Sequence, residues 1–253
     1  MSYSRKLALA TGIFFVITII ASIPAAFVFY APVLNNPDYI VGAGGPDTRV
    51  FWGAFLEMIT ALACIGTAVA LFPIVKRQNE AVALGYVAVR VFEATIIVVG
   101  IASLLAVVTL RQDLAGAAGG DTASLVAVGK SLVAIHDATF LLGPGLLAGL
   151  GNGMLLGYLM YRSGLVPRRM ALLGLIGGPL VTASGIAVLF GLYEQVSPVA
   201  ALTAIPETLW EASLGIWLIV KGFNPSVSAS EKFRLSSDDH GPEIEGVAPV
   251  PAP

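Results

Sequence analysis

Charged residues are scarce in this chain of 253 residues. Only 12% are Asp, Glu, Lys or Arg, whereas soluble domains usually carry about a quarter. Hydrophobic residues make up 57% of the chain, and the mean hydropathy is +0.86. This composition excludes an ordinary soluble domain and indicates a protein that crosses the lipid bilayer several times. The formal net charge of -2 provides no basic surface, so nucleic acid is not expected as a partner.

Cysteine and histidine are also rare. Cys64 is the single cysteine, which excludes an intrachain disulfide. The chain has two histidines, and one of them, His240, lies in a polar C-terminal stretch. Because zinc sites need several converging ligands, no metal site is expected, and the sequence leaves any cofactor unknown. The phosphate-binding loop G-x-x-x-x-G-K-[ST], the zinc motif H-E-x-x-H and the nucleophile motif G-x-S-x-G are all missing.

Six apolar segments are long enough to cross the hydrocarbon core, which takes about 20 residues of helix. None of them alternates polar and apolar residues as a barrel strand does. The predicted fold is all-α. It consists of a polytopic transmembrane bundle of six helices in residues 1–222 and a disordered cytoplasmic C-terminal tail in residues 223–253. The expected spans are Leu7–Tyr30, Phe51–Val75, Ala81–Leu110, Val133–Tyr161, Ala171–Leu192 and Ala200–Val220.

The distribution of basic residues predicts the orientation of the bundle. With the N-terminus in the cytoplasm, ten Lys and Arg residues fall on the cytoplasmic side and three on the outer side. Loops on the cytoplasmic side of membrane proteins are the ones enriched in Lys and Arg. We therefore expect both termini to be cytoplasmic.

The fourth span carries a regular row of glycines. Gly145, Gly149, Gly153 and Gly157 recur every four residues and therefore lie on one helix face, where a neighbouring helix can approach closely. We expect a packing seam along this face and a kink at residues 143–145, which read Gly-Pro-Gly. If the protein is instead a structural or regulatory subunit of a membrane complex, this face is where it would dock.

Ionisable residues within the apolar spans are the candidate functional residues. Arg90 and Glu93 are three residues apart and Glu207 and Glu211 four apart, so each pair shares one helix face. A charge facing lipid costs about 2.5–3.5 kcal/mol, so these faces should point into the bundle. Counting along the helices places the candidates between the midplane and the outer surface, where we expect one polar, ligand-binding pocket. The candidates are Glu57, Arg90, Glu93, His136, Asp137, Glu207 and Glu211.

Several functions remain open for such a pocket. Five carboxylates face only Arg90 and His136, which favours binding of a small or lipid-derived cationic or amphipathic ligand, or coupling of ions or protons. Alternatively, the protein is a membrane-embedded enzyme in which Glu93 or Glu211 acts as a general acid on a lipid-linked substrate. In a purely structural alternative, Arg90 pairs with Glu57 or Glu93 and fixes the helix register. The expected partners are the lipid bilayer and a small-molecule or lipid ligand, and the oligomeric state is not determined by the sequence.

Three runs of sequence carry a resemblance to a known family. They are GAFLEMITALACIGTAVALFPIVKRQNEAVALGYVAVRVFEA within the stretch from Trp52 to Leu110, YRSGLVPRRMALLGLIG from Tyr161, and WLIVKGFNP from Trp217. The chain resembles the DUF4386 family of bacterial multi-pass membrane proteins, which is named for having no assigned function. The resemblance implies a helical bundle in a bacterial inner membrane. It implies no biochemical activity.

Overall fold

A computed structural model describes residues 1–115 and 122–224, and all regular structure in these residues is helical. The predicted fold class is confirmed. Most of the predicted tail, residues 225–253, lies outside the described residues. The elements are α1 (Tyr3–Pro24) with a π turn (Ala25–Phe29), α2 (Ala31–Leu34), a 3-10 turn (Tyr39–Val41), α3 (Thr48–Val75), α4 (Glu80–Ala115), α5 (Thr122–Leu142), two π segments (Gly143–Leu147 and Gly149–Leu156), α6 (Gly157–Ser163), α7 (Arg168–Leu189) and α8 (Pro198–Val220).

Five helical stretches are long and apolar enough to cross a membrane. The predicted count of six is not confirmed, because α8, which is 23 residues long and carries Glu207 and Glu211, is not among the five. The fourth span is one helical path of 42 residues that runs from α5 through the π segments to α6. The five stretches are Tyr3–Phe29, Thr48–Val75, Glu80–Leu114, Thr122–Ser163 and Arg168–Leu189.

The six long helices pack as a closed ring in chain order. Helix α1 contacts α3, α3 contacts α4, and α4 contacts the path formed by α5 and the π segments. That path contacts α7, α7 contacts α8, and α8 returns to α1. Large apolar side chains such as Ile20, Leu62, Phe92, Ile176 and Leu202 are exposed on the outside of the ring. An apolar exterior of this kind is suited to lipid.

The glycine row of the fourth span forms a seam with α7. A Cβ added to Gly178 of α7 would lie 2.6 Å from the carbonyl oxygen of Gly149 and 2.8 Å from the Cα of Gly153. A Cβ added to Gly157 would lie 3.2 Å from the backbone nitrogen of Leu175. The predicted packing seam is confirmed, and α7 of the same chain covers this face. The predicted kink position coincides with the π turn Gly143–Leu147, and π turns are a common cause of kinks.

Arg5 connects helix α1 to the C-terminal end of helix α8. Its guanidinium donates to the carbonyl oxygens of Leu218 at 2.7 Å and Ile219 at 2.5 Å. These carbonyls belong to the last turn of α8, where intrahelical partners run out. Arg5 therefore caps α8 and joins it to α1.

At the other end of the bundle, residues 35–47 form a loop, and we call this the loop end. Asp47 accepts hydrogen bonds from the Tyr39 hydroxyl at 3.0 Å and from Gln112 Nε2 at 3.0 Å. Arg111 lies 3.3 Å from Asp47 and 4.2 Å above the Tyr39 ring. Burial, followed by the hydrogen bond to Asp47, raises the pKa of Tyr39 to about 12. These contacts hold the loop against the end of α4.

Candidate functional site

A buried ion pair lies on the inward face of α4. Arg90 Nη1 is 2.6 Å from Glu93 Oε2, and the two residues are only 2% and 4% exposed. The spacing of three residues places both side chains on the same face of the helix. The prediction that Arg90 pairs with Glu93 or Glu57 inside the bundle is confirmed for Glu93.

A second buried carboxylate is bound by the π segment of the fourth span. Asn152 Nδ2 donates to Glu211 Oε1 at 2.5 Å, and the Trp210 indole donates to the Asn152 carbonyl oxygen at 2.9 Å. The same carbonyl accepts from the backbone nitrogen of Gly157, five residues along the chain. The π segment thus brings the polar backbone and the amide of Asn152 against α8, and Trp210 is completely buried there.

The Glu207 carboxylate has no hydrogen-bond partner among the described residues. Glu207 is 5% exposed, and both of its carboxylate oxygens are buried. Its Oε2 atom lies 2.6 Å from the position that a Cβ on Gly153 would occupy, so only glycine at residue 153 leaves room for it. The Nε of Arg90 and the Oδ1 of Asn152 are likewise buried without a partner in the described part of the chain.

These residues form one acidic group in the bundle interior. We call Arg90, Glu93, Asn152, Glu207 and Glu211 the inner group. Arg90 interacts electrostatically with all three carboxylates. Three carboxylates therefore surround one guanidinium, and the group has an excess of potential negative charge.

A second polar group lies nearer the loop end. His136 Nε2 is 4.0 Å from Glu57 Oε1, and the His136 ring packs edge-on against Tyr30 with centroids 5.4 Å apart. On its other side, His136 Nδ1 is 3.7 Å from Asp137 Oδ1. The side chain of Asp137 is 62% exposed, whereas those of His136 and Glu57 are 4% and 12% exposed. We call Tyr30, Glu57, His136 and Asp137 the outer group.

The structure thus distributes the seven candidates over two groups. Opposite His136 lies Gly100 of α4, whose added Cβ would be 3.4 Å from the imidazole Cδ2. Gly100 is seven residues from Glu93, which corresponds to about 10 Å of helical rise. Glu57, His136 and Asp137 are thus displaced along the bundle axis from Arg90, Glu93, Glu207 and Glu211. Similar predicted depths did not define this axial offset between helices, and the single ligand-binding pocket stays a prediction.

Asp137 instead lines a cleft at the loop end. The cleft has a volume of about 130 Å³ and contains the side chains of Asn36 and Lys130 as well as apolar residues such as Ile40 and Val107. Lys130 and Asp137 lie seven residues apart on α5, so the cleft extends about 10 Å along this helix. Its volume is sufficient for several water molecules.

Two residues of these groups were not among the predicted candidates. Asn152 was missed although it is the only polar side chain in GPGLLAGLGNGMLLG, and a lone amide in an apolar span is itself a signal. Tyr30 was missed because a tyrosine at a span end is usually an interfacial anchor. Within residues 1–115 and 122–224, no three side chains of His, Cys, Asp or Glu are arranged to hold a metal ion.

The family is decided by a match that covers most of the chain. Residues 10–222 match the family described as "Domain of unknown function (DUF4386)". The chain belongs to the DUF4386 family. Neither a curated protein nor a solved structure matches it. Both polar groups lie inside the DUF4386 region, whose apolar helices are those of a multi-pass membrane protein.

Proposed function

We propose that this DUF4386 protein binds a small monovalent cation at the inner group, in exchange for protons. The observation that carries the proposal is Glu207, whose two carboxylate oxygens are buried without a hydrogen-bond partner among the described residues. Burying an ionised carboxylate without a partner is very costly. Glu207 must therefore bind either a proton or a cation.

The charge balance of the inner group supports exchange between these two occupants. Arg90 compensates one of the three carboxylates, so the remaining two require positive charge from outside the chain. A proton neutralises the one carboxylate that it binds. A monovalent cation bound between Glu207 and Glu211 neutralises one of their two negative charges. Because both compete for the same oxygens, cation binding releases protons and weakens as the pH falls.

The available donors support a small, hard cation. Among the described residues, the unpartnered acceptor atoms of the inner group are Glu207 Oε1 and Oε2 and Asn152 Oδ1, which are all oxygens. Oxygen ligands favour hard cations over zinc or copper. The close approach of Gly153 and Gly178 around Glu207 restricts the occupant to a small one.

We further propose that the protein resides in the bacterial inner membrane with both termini cytoplasmic and the loop end outside. The excess of Lys and Arg at the opposite end supports this orientation. A reporter enzyme that is active only outside the cytoplasm should be active when it is fused after Gly45 and inactive when it is fused after Gly164. The opposite pattern would reverse the orientation and leave the inner group unaffected.

Cation–proton exchange is tested by titrating purified protein in detergent with NaCl in a weakly buffered solution that contains a pH indicator. We expect saturable proton release and a rise in thermal stability, both smaller at acidic pH. KCl serves as the parallel probe, and choline chloride controls for ionic strength. The Glu207→Gln variant should lose the release because its amide neither binds a proton nor carries charge.

The matched control is Glu194→Gln, which changes the same residue type at an exposed position between α7 and α8. This variant should release protons as the wild type does. Proton release that is absent from the wild type, or that persists in Glu207→Gln, would contradict the proposal.

A further inference from the structure

The outer group connects an exposed carboxylate to a buried one through a single imidazole. His136 Nδ1 lies 3.7 Å from Asp137 and His136 Nε2 lies 4.0 Å from Glu57. A histidine with a carboxylate near each ring nitrogen has the geometry of a proton shuttle, since it accepts at one nitrogen and donates from the other. Nδ1 of His136 has no hydrogen-bond partner among the described residues, so it is available as the acceptor.

We infer that Asp137, His136 and Glu57 form a proton relay that equilibrates the buried Glu57 carboxyl with the water-accessible cleft at the loop end. The cleft reaches Asp137 and carries the polar side chains of Asn36 and Lys130. We expect water rather than lipid next to Asp137, because a carboxylate of such high exposure would be expensive against hydrocarbon.

The transfer balances without any further reactant. Asp137 takes a proton from a hydronium ion in the cleft, which leaves water, and passes it to Nδ1 of His136. The ring then gives its Nε2 proton to Glu57, and Asp137 is again a carboxylate. The neutral imidazole is left as its other tautomer and resets by rotation or by the reverse transfer. Each gap exceeds the usual hydrogen-bond length of about 3 Å. Rotation of the exposed Asp137 side chain closes the first gap, and rotation of the His136 ring or of the Glu57 side chain inside the bundle closes the second.

The surroundings of His136 contain few other groups that titrate. Tyr30 packs on the ring from the π turn after α1, and Glu57 faces it from α3. Helix α4 presents Gly100, and Asp137 is the neighbour on α5 itself. No further charged side chain is in ion-pair contact with His136 in the described segments. The inner group lies about 10 Å away along α4, so the relay does not depend on the function proposed for it.

The relay is tested by infrared spectroscopy of the purified, detergent-solubilised protein. The carbonyl band of protonated Glu57 is identified as the band that disappears in Glu57→Gln, at a pH between about 5 and 8. The rate at which this band shifts on transfer to D₂O measures proton exchange at Glu57. We expect His136→Gln to slow the exchange by about 10²-fold or more, the contribution of a positioned proton-transfer group.

Two variants and one rescue separate a relay from a structural role. Asp137→Asn, at an exposed side chain, should also slow the exchange without disturbing the core. Lys130→Gln in the same cleft and helix should leave the rate unchanged. Added imidazole should restore exchange in His136→Ala, which a merely structural histidine would not allow.

Unchanged exchange in both His136→Gln and Asp137→Asn would overturn the inference, as would a spectrum with no band that depends on Glu57. Proton release on NaCl addition should be intact in Asp137→Asn. The failure of the relay is thereby distinguished from the failure of cation exchange at the inner group.

Discussion

Replacing Arg90 with Met removes the only guanidinium of the inner group and keeps a side chain of comparable length. In the wild type Arg90 is 2% exposed and forms a 2.6 Å ion pair with Glu93. Removing one partner of a buried pair costs about 3–5 kcal/mol, because the remaining charge is buried without compensation. Glu207 and Glu211 lose the same compensating charge. We therefore expect Arg90→Met to lower the free energy of unfolding by about 3–5 kcal/mol.

A second substitution separates the stranded charge from lost packing. Adding Glu93→Gln to Arg90→Met removes the charge that the first change left unpaired. The double variant should regain about 0.5–3 kcal/mol, the range of coupling energies between contacting residues. The loss in Arg90→Met should also shrink at acidic pH, because protonation removes the stranded negative charge.

The free energy of unfolding is measurable by SDS titration in mixed micelles, followed by tryptophan fluorescence. Trp210 is completely buried beside Asn152 and therefore reports on this region. Arg169→Met is the control, because Arg169 is exposed and its replacement should change stability by no more than about 0.5 kcal/mol. A loss below about 1 kcal/mol in Arg90→Met, the range of solvent-exposed ion pairs, would refute the reasoning and indicate a hydrated guanidinium.

Two further predictions concern the packing of the ring. Gly178→Ala should cost about 1–3 kcal/mol in the same titration, since its Cβ would lie 2.6 Å from the Gly149 carbonyl oxygen. Gly85→Ala, whose Cβ meets nothing nearer than 3.8 Å, should be neutral or stabilising. Equal effects of the two substitutions would contradict a tight seam. Arg5→Gln should cost about 1.5–3 kcal/mol because it removes charged donors from the last turn of α8, whereas Lys6→Gln at an exposed position should have little effect. Similar stability of these two variants would show that Arg5 does not cap α8.

The parts of the fold that depend on local sequence were predictable. Long apolar runs located the helices, and the spacing of three residues predicted the Arg90–Glu93 pair, because both residues lie on the same helix. The glycine row predicted a close seam, since small residues at a four-residue spacing permit backbone contact along one face.

The parts that depend on relations between helices were not predictable in the same way. Glu57 meets His136 instead of Arg90 because of the axial offset between α3, α4 and α5, which no single helix encodes. The role of Asn152 depends on a π segment that changes the rotation of side chains around the helix, so a count at 3.6 residues per turn places it wrongly. The closed order of the ring is likewise a property of the assembled helices.

The two glutamates of α8 have a consequence for biogenesis. Glu207 and Glu211 lie in this helix, and a charged side chain at the centre of a span costs about 2.5–3.5 kcal/mol on insertion scales. Alone in the bilayer, α8 would bear this penalty twice, unless both acids were neutralised. In the finished bundle Glu211 accepts a hydrogen bond from the Asn152 amide, and both glutamates interact electrostatically with Arg90. The helices that pack against α8 precede it in the chain and are synthesised first, so we expect its insertion to be coupled to tertiary assembly. A chain truncated before the fourth span should therefore fail to retain α8 in the bilayer when that helix is supplied as a separate peptide.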